Sequence, residues 1–327
     1  MHIKTVFVFL GILLFVLARF SYSNNENPAP ASAPEASVLA PIEGAQGSME
    51  FTAALVGEQF EYAVQRGDSL TSISARFGIE RFVLARMNGI KKDALLQLDQ
   101  LLQIDNRHII PEQLTDGILI NLPQRILYYF QSDKLMAHYP VGLGRPSWPT
   151  PMGSFKVINL QKNKTWYVPK SIQEEMLREG EIVLTQVPPG PENPLGKHWI
   201  GLSLPGIGIH GTIAPASVYH FLSHGCIRLH PDDVAALFRQ VRKQLPGKII
   251  YVPVLLVRLK DGRIFLEVNR DVYKKSIDPI TIVKSSAQIQ GLDDMLDWDK
   301  VKEVIQLKEG LAREVGLPVH IPNGGTS

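Results

Sequence analysis

Between Tyr62 and Ile104 the apolar positions switch from a period of two to a helical period and back again. Tyr62 and Val64 alternate with polar neighbours, as in a half-buried strand. Gly67-Asp68 makes a turn in which Asp68 or Ser69 can cap a helix. Leu70, Ile73 and Phe77 then follow at helical spacing, and Gly78 is a C-terminal stop. A second short helix carries Phe82, Val83 and Met87 and ends at Asn88-Gly89. Leu102 and Ile104 close the unit as a strand, so the predicted order is strand, helix, helix, strand.

From Gly117 to Val252 the texture becomes β-rich. Ile118, Ile120 and Leu122 alternate, Ile126 to Phe130 and Met136 to Val141 read as two more strands, and Gly153 to Ile158 as another. The run Gln186 to Gly196 is punctuated by four prolines, which remove donors and fix φ, so an irregular loop is expected there. It walls a site or serves as a solvated connector. Asp232 to Leu245 reads as a helix with Val234, Leu237, Phe238 and Val241 on one face. In the final segment Ile264, Leu266 and Val268 form a strand. Asp297 to Arg313 is predicted helical, with Val301, Val304, Ile305 and Leu311 inward. That segment offers no chemistry, and packing on the preceding unit is its expected role.

The N-terminal stretch adds a compartment. Lys4 precedes an apolar stretch from Thr5 to Ala18, and Ser21-Tyr22-Ser23 supplies small residues for cleavage, the pattern of a secretory signal. The stretch is shorter than the ~18 residues a membrane span needs, although an uncleaved N-terminal anchor stays open as the alternative. Asn24 to Ser48 is rich in Pro, Ala, Ser and Glu without apolar periodicity, as in a flexible tether. With 34 Lys plus Arg against 32 Asp plus Glu, the net charge is only +2, and no basic stripe points to nucleic acid. The 327 residues, 45% of them apolar, suffice for two or three units with a sizeable core.

Export changes the reading of the lone cysteine. Cys226 lies in Ser223-His224-Gly225-Cys226-Ile227-Arg228-Leu229, sixteen residues after His210 in Ile209-His210-Gly211-Thr212. A single cysteine is often a small buried hydrophobe. In an oxidising compartment cysteines usually come in pairs, however, and an odd one is a candidate reactive thiol. A neighbouring imidazole can generate the thiolate, and glycines beside both groups permit sharp turns and close approach of a substrate to backbone amides. Five residues (His210, His220, His224, Cys226 and His230) also crowd together as possible Zn²⁺ ligands, but the usual ligand spacings are missing.

Two resemblances organise these observations. Tyr62, Val64, Gly67, Asp68, Ser69, Leu70, Ile73, Phe77, Gly78, Asn88, Gln100, Leu102 and Ile104 resemble a LysM module. The resemblance implies binding of N-acetylglucosamine-containing glycan through Gly67, Asp68, Ser69, Leu70 and Asn88. Leu98-Asp99 stands where that family commonly has Pro-Gly. The His210-Gly211-Thr212 and Ser223 to Arg228 runs, with Thr150-Pro151-x-Gly153-x-Phe155 and Asn193-Pro194-Leu195-Gly196, resemble the L,D-transpeptidases with a YkuD-type catalytic domain.

That second resemblance implies a fold and a mechanism. Cys226 would be the nucleophile toward a stem tetrapeptide, releasing D-Ala and leaving a thioester. His210 would be the general base and acid, oriented by the Gly211 backbone carbonyl, and the Gly225 and Cys226 amides would form the oxyanion hole. Arg228, Ser223, His224 and Thr212 would contact substrate, with Arg228 equally able to meet a structural acid. No cofactor or metal is implied. The partner is peptidoglycan, and the acyl acceptor is a neighbouring stem amine or an outer-membrane lipoprotein lysine. Hydrolysis by the same thiol, or a catalytically dead wall-binding scaffold, are the competing readings.

The expected class is α+β. A βααβ LysM domain (residues 58–107) is followed by a β-rich, sandwich-like catalytic domain (108–252) and an α/β extension packing on it (253–327). A signal (1–23) and a linker (24–57) precede them, and the setting is the periplasm or cell wall.

Overall fold

The computed structural model describes residues 55–318. The expected signal and most of the linker lie outside the described residues.

The first unit follows the apolar pattern closely. Strand Gln59–Ala63 pairs antiparallel with Leu101–Asp105, and between them run α1 (Leu70–Phe77) and α2 (Arg81–Met87). Ser69 caps α1: its Oγ accepts the Ser72 amide at 3.1 Å while its own amide donates to Ser72 Oγ at 2.8 Å. This reciprocal arrangement satisfies two backbone donors that would otherwise be orphaned at the helix start. Gly78, at φ +69°, ends the helix in the left-handed region that favours glycine. Asp99 takes φ +63° in the turn before the last strand, so it adopts the conformation a glycine would supply there.

The β-rich part is one large mixed sheet of eight strands. Across the sheet the order is Ile227–Arg228, Gly208–His210, His198–Leu202, Gly153–Lys162, Pro246–Ile250, Gly117–Asn121, Ile126–Gln131 and Lys134–Pro140. The alternation read for Ile118, Ile120 and Leu122 marks only one face. Leu119, Tyr128 and Phe130 point the other way and are equally buried, in a second core shared with Ala75 of α1. Burial on both faces produces a continuous apolar strand rather than an alternating one. Val218 and Tyr219, from the segment between His210 and Cys226, complete this second core together with α1.

Two helices end earlier than expected. α4 spans Pro231–Gln240, not Asp232 to Leu245; Val241 is already extended (φ −82°, ψ 153°) and Gln244 turns the chain at φ +65° into strand Pro246–Ile250. Val241 and Leu245 stay buried in the same core, so the apolar spacing continued although the helix did not. Likewise α6 spans Trp298–Leu307 rather than reaching Arg313. Lys308 and Gly310 take positive φ, and Leu311 leaves the helical face to enter the LysM core. The loop expected over Gln186 to Gly196 begins with a short strand, Gln186–Val187, paired with Trp166–Tyr167.

Two further helices lacked a legible pattern. In α3 (Lys170–Glu179) the one buried residue is Glu175, so no apolar stripe announces it. In α5 (Pro279–Gln290) only Val283 and Ala287 are buried.

The C-terminal segment ties the units together. Its strands Val254–Arg258, Ile264–Val268 and Arg313–Glu314 form a three-stranded sheet. From this sheet Glu267, fully buried, accepts the Ile109 amide (2.7 Å), Gln124 Nε2 (3.0 Å) and Asn269 Nδ2 (3.1 Å), and lies 3.1 Å from His108 Nδ1. His108 Nε2 in turn faces the Gly78 carbonyl at 3.3 Å. Elsewhere Tyr273 donates its hydroxyl to the Gly144 carbonyl at 2.6 Å and accepts the Thr150 amide at 3.2 Å, fixing the loop beneath Gly225.

Candidate active site

A parallel pairing brings the two sequence motifs together. Strand Gly208–His210 lies beside Ile227–Arg228, with His210 opposite Arg228, and the Leu229 amide donates to the His210 carbonyl at 2.9 Å. Parallel neighbours need a crossover. Here it includes Pro215–Ser217 and strand Phe221–Ser223, which pairs with Leu143–Gly144. The sixteen residues between His210 and Cys226 thus loop out and return to the same sheet edge.

His210 and Cys226 line one cavity of about 440 Å³, together with Arg145, Glu175, Trp199 and Arg228. His210 is 4% exposed, and its Nδ1 lies 2.6 Å from the Gly211 carbonyl. A carbonyl can only accept, so Nδ1 carries the proton and Nε2 is left as the basic nitrogen. Trp199, the strand partner of His210, stacks on the imidazole with centroids 5.9 Å apart. Gly208 makes room for that indole, since a Cβ there would come within 2.4 Å of it.

Charge is disfavoured on both groups. Burial, reinforced by the Arg228 guanidinium, lowers the His210 imidazole to about 4, with the Gly211 and Leu195 carbonyls pulling the other way. Burial likewise pushes the half-buried Cys226 thiol above its usual value, against a backbone hydrogen bond near Gly208 and the Arg228 charge. Both shifts favour the neutral forms of the pair, because desolvation outweighs the neighbouring cation at the thiol.

The remaining sequence-derived residues have differing placements. Ser223 is buried; its hydroxyl donates to the Cys226 carbonyl at 2.6 Å and accepts the Gly225 amide at 3.2 Å. That leaves the Cys226 amide, but not the Gly225 amide, without a hydrogen-bond acceptor among the described residues. Gly225 sits at φ +103°, and a Cβ would come within 3.2 Å of Ile207. Arg228 lines the cavity and has no acidic partner among the described residues, which removes the structural-acid alternative.

His224 Nε2 instead meets Glu175 Oε2 and lies 3.2 Å from Arg145 Nη2, on the wall formed by α3. Thr212 is buried, accepts the Ala214 amide at 3.0 Å and faces a different cavity, so its expected contact with substrate is corrected to a turn-holding role. The other His residues of the crowded stretch do not join the thiol; among the described residues no three His, Cys, Asp or Glu side chains converge as a metal would need.

In the LysM unit, Gly67 is open at φ +87°. Asp68 accepts Tyr62 OH at 2.6 Å, Ser69 is occupied as the helix cap, and Leu70 is 3% exposed in the core. The expected glycan contact by the Leu70 side chain is thereby corrected. Asn88 spends its Oδ1 on the Gln103 amide (2.6 Å) and its Nδ2 on the Leu84 and Gln103 carbonyls (2.9 Å each), which joins α2 to the last strand.

Several wall residues escaped the motif reading. Trp199, Arg145 and Glu175 stand far in sequence from Cys226 and carry no local signature. Asn193, noted only within a run of matching residues, is buried; its Nδ2 reaches the Lys164, Val187 and Pro188 carbonyls at 3.0, 3.0 and 3.1 Å and pins the proline-rich loop.

Comparison with known proteins adds identity to this geometry. The L,D-transpeptidase catalytic domain of the YkuD family matches residues 115–264, and the LysM domain matches residues 62–105. The chain is 28% identical to the probable L,D-transpeptidase YcfS of Escherichia coli, over 80% of this chain and 85% of that one. It is 29% identical to the probable L,D-transpeptidase ErfK/SrfK of Salmonella typhimurium, over 83% and 88%. To the putative L,D-transpeptidase YkuD of Bacillus licheniformis it is 30% identical, over 54% of this chain and 90% of that one.

Proposed function

The chain belongs to the L,D-transpeptidase family and is an enzyme of that class, and from that premise we propose that it acts on peptidoglycan with Cys226 as nucleophile and His210 as base. The observation that carries the reading is the His210 tautomer. With Nδ1–H committed to the Gly211 carbonyl, the free Nε2 shares a cavity with the only thiol of the chain.

Acylation starts from the neutral pair. Cys226 Sγ attacks the carbonyl that follows the third residue of a stem tetrapeptide, while its proton passes to His210 Nε2. Arg228 favours the thiolate form of Cys226 as that proton leaves. The Cys226 amide stabilises the oxyanion, a contribution of a few kcal/mol for each such donor. The C–N bond breaks, and the D-Ala amine departs with the proton from His210, leaving a thioester. An incoming amine then loses its proton to His210 as it attacks the thioester, and the thiol is reprotonated.

The amine comes from the diamino acid of a neighbouring stem, giving a 3→3 link; a lipoprotein lysine would undergo the same chemistry. The LysM unit holds the glycan strand, and residues 1–23 direct export to the periplasm or wall.

The test is incubation of the full chain with purified disaccharide-tetrapeptide, followed by mass measurement of protein and products. Loss of D-Ala, an adduct on Cys226 and a cross-linked dimer are expected. Tripeptide alone would reassign the enzyme to hydrolysis, and no adduct with substrate or a carbapenem would sink the thiol mechanism.

A further inference from the structure

Among the residues lining the Cys226 cavity, Trp199 is the one that core packing does not account for. Its side chain is only half-buried and joins none of the apolar cores, whereas Ile200 and Leu202 of the same strand lie inside the main one. What it does touch is His210. The two residues stand directly opposite in the antiparallel pair, where cross-strand side chains come closest, and their rings stack at 5.9 Å with planes 19° apart.

The surroundings are shaped to that indole. Gly208 does not adopt a positive φ, so its backbone imposes no need for glycine; what the missing Cβ supplies is the space the indole fills. From another direction the Lys164 ammonium lies 5.7 Å from the ring centroids of both Trp199 and Tyr167, a cation–π contact that helps to hold the indole in place. Lys164 is itself anchored, since its carbonyl accepts Asn193 Nδ2 at 3.0 Å.

An aromatic plate against an imidazole acts in two opposed ways. It displaces water, which disfavours the imidazolium, and it presents a negative face, which favours it. Burial is the largest influence on His210, so the exclusion of water outweighs the attraction. The other charged or titratable groups nearby are Arg228 and Cys226 on the adjoining strand segment and Lys164 over the indole. Arg145, Glu175 and His224 are engaged with one another on the α3 wall, and His198 packs on Phe238. Taking His210 as the base of the reaction above, we propose that Trp199 is its positioning residue: the indole covers one face of the imidazole, keeps water from it and holds the ring in the cavity shared with Cys226.

The test follows the His210 midpoint by NMR in the full chain labelled at histidine Cε1, with His210→Gln identifying the resonance. The wild-type midpoint is expected at about 4. Trp199→Ala should carry it towards the ordinary ~6.5, and kcat/KM for disaccharide-tetrapeptide at pH 5 should then fall about 30-fold below its value at pH 8. Trp199→Phe should restore both the low midpoint and the acid tolerance. Gly208→Ala, which keeps the indole but pushes it off the ring, should raise the midpoint part of the way. An unmoved midpoint in Trp199→Ala or Gly208→Ala would overturn the proposal, as would a loss of activity equal at every pH that phenylalanine does not rescue. Because the midpoint is read without turnover, it is decided separately from the role of His210 as base, which the activity of His210→Gln decides.

Discussion

His108 and His210 are almost equally buried, at 1% and 4% exposure, yet their surroundings differ. His108 faces an acceptor from each ring nitrogen: Glu267 Oε1 at 3.1 Å and the Gly78 carbonyl at 3.3 Å. Both ring nitrogens are thus occupied, which makes His108 a link between the first unit and the C-terminal sheet. His210 has one nitrogen facing a hydrogen-bond partner, the Gly211 carbonyl, and lines the same cavity as the Cys226 thiol. Burial alone therefore does not separate the two histidines; the cavity that His210 shares with the thiol does.

The largest effect expected is at the thiol. Cys226→Ala should reduce turnover of disaccharide-tetrapeptide by ~10⁴-fold or more with the melting temperature nearly unchanged, because the nucleophile acts as a unit with its base. Residual turnover above about one per cent would place the nucleophile elsewhere.

The two histidines should then dissociate cleanly. His210→Gln should cost ~10²–10⁴-fold in kcat/KM, the range of a positioned general base, with little loss of stability. His108→Ala should do the reverse, removing a hydrogen-bond partner from the buried Glu267 carboxylate at a cost of about 1–3 kcal/mol in denaturant unfolding while the folded fraction keeps its activity. If both variants lose activity and stability together, the comparison fails.

Acidity sharpens the contrast. The reaction needs neutral His210, and its imidazole stays neutral down to about 4, so kcat/KM should hold from pH 7 to pH 5 and fall only towards pH 4. The sign for stability follows from the same shift. The unfolded chain takes up this proton near the ordinary imidazole value, so the native state loses stability as pH falls from there towards 4. Relative to His210→Gln, the wild-type loss is on the order of 3 kcal/mol at the acid end. An acid limb near pH 6.5 in rate measurements would mean that His210 is not the titrating base.

Smaller effects belong to the supporting wall. Ser223→Ala removes the bonds to the Cys226 carbonyl and the Gly225 amide and should slow acylation about ten-fold, with a stability loss of about 1–2 kcal/mol. Glu175→Gln weakens the link from α3 to His224 and Arg145; only a few-fold rise in KM is expected, since this contact is partly exposed. A larger fall in kcat would give Glu175 a direct part in the chemistry.

Much of this was legible in the chain. The βααβ order, the Ser69 cap, the Gly78 stop and the His210/Cys226 motif all depend on local spacing, and local spacing is what a sequence displays. Helix ends were less legible where apolar periodicity ran past the helix: Val241 and Leu311 remain inside, but in other conformations and, for Leu311, in another unit's core. α3 was illegible because its one buried residue is an acid whose partners, Arg145 and His224, lie 30 and 49 residues away.

The sequence by itself determined the residue types of the proposed reactive pair, the class of the fold and the modular order. Tertiary structure decided which histidine shares a cavity with Cys226, that burial there disfavours the thiolate, and that Ala75 of the LysM unit joins Val218 and Tyr219 in the second core of the sheet. Those outcomes depend on desolvation and on acceptors contributed by distant segments, quantities set by what packs around a residue and not by what precedes or follows it.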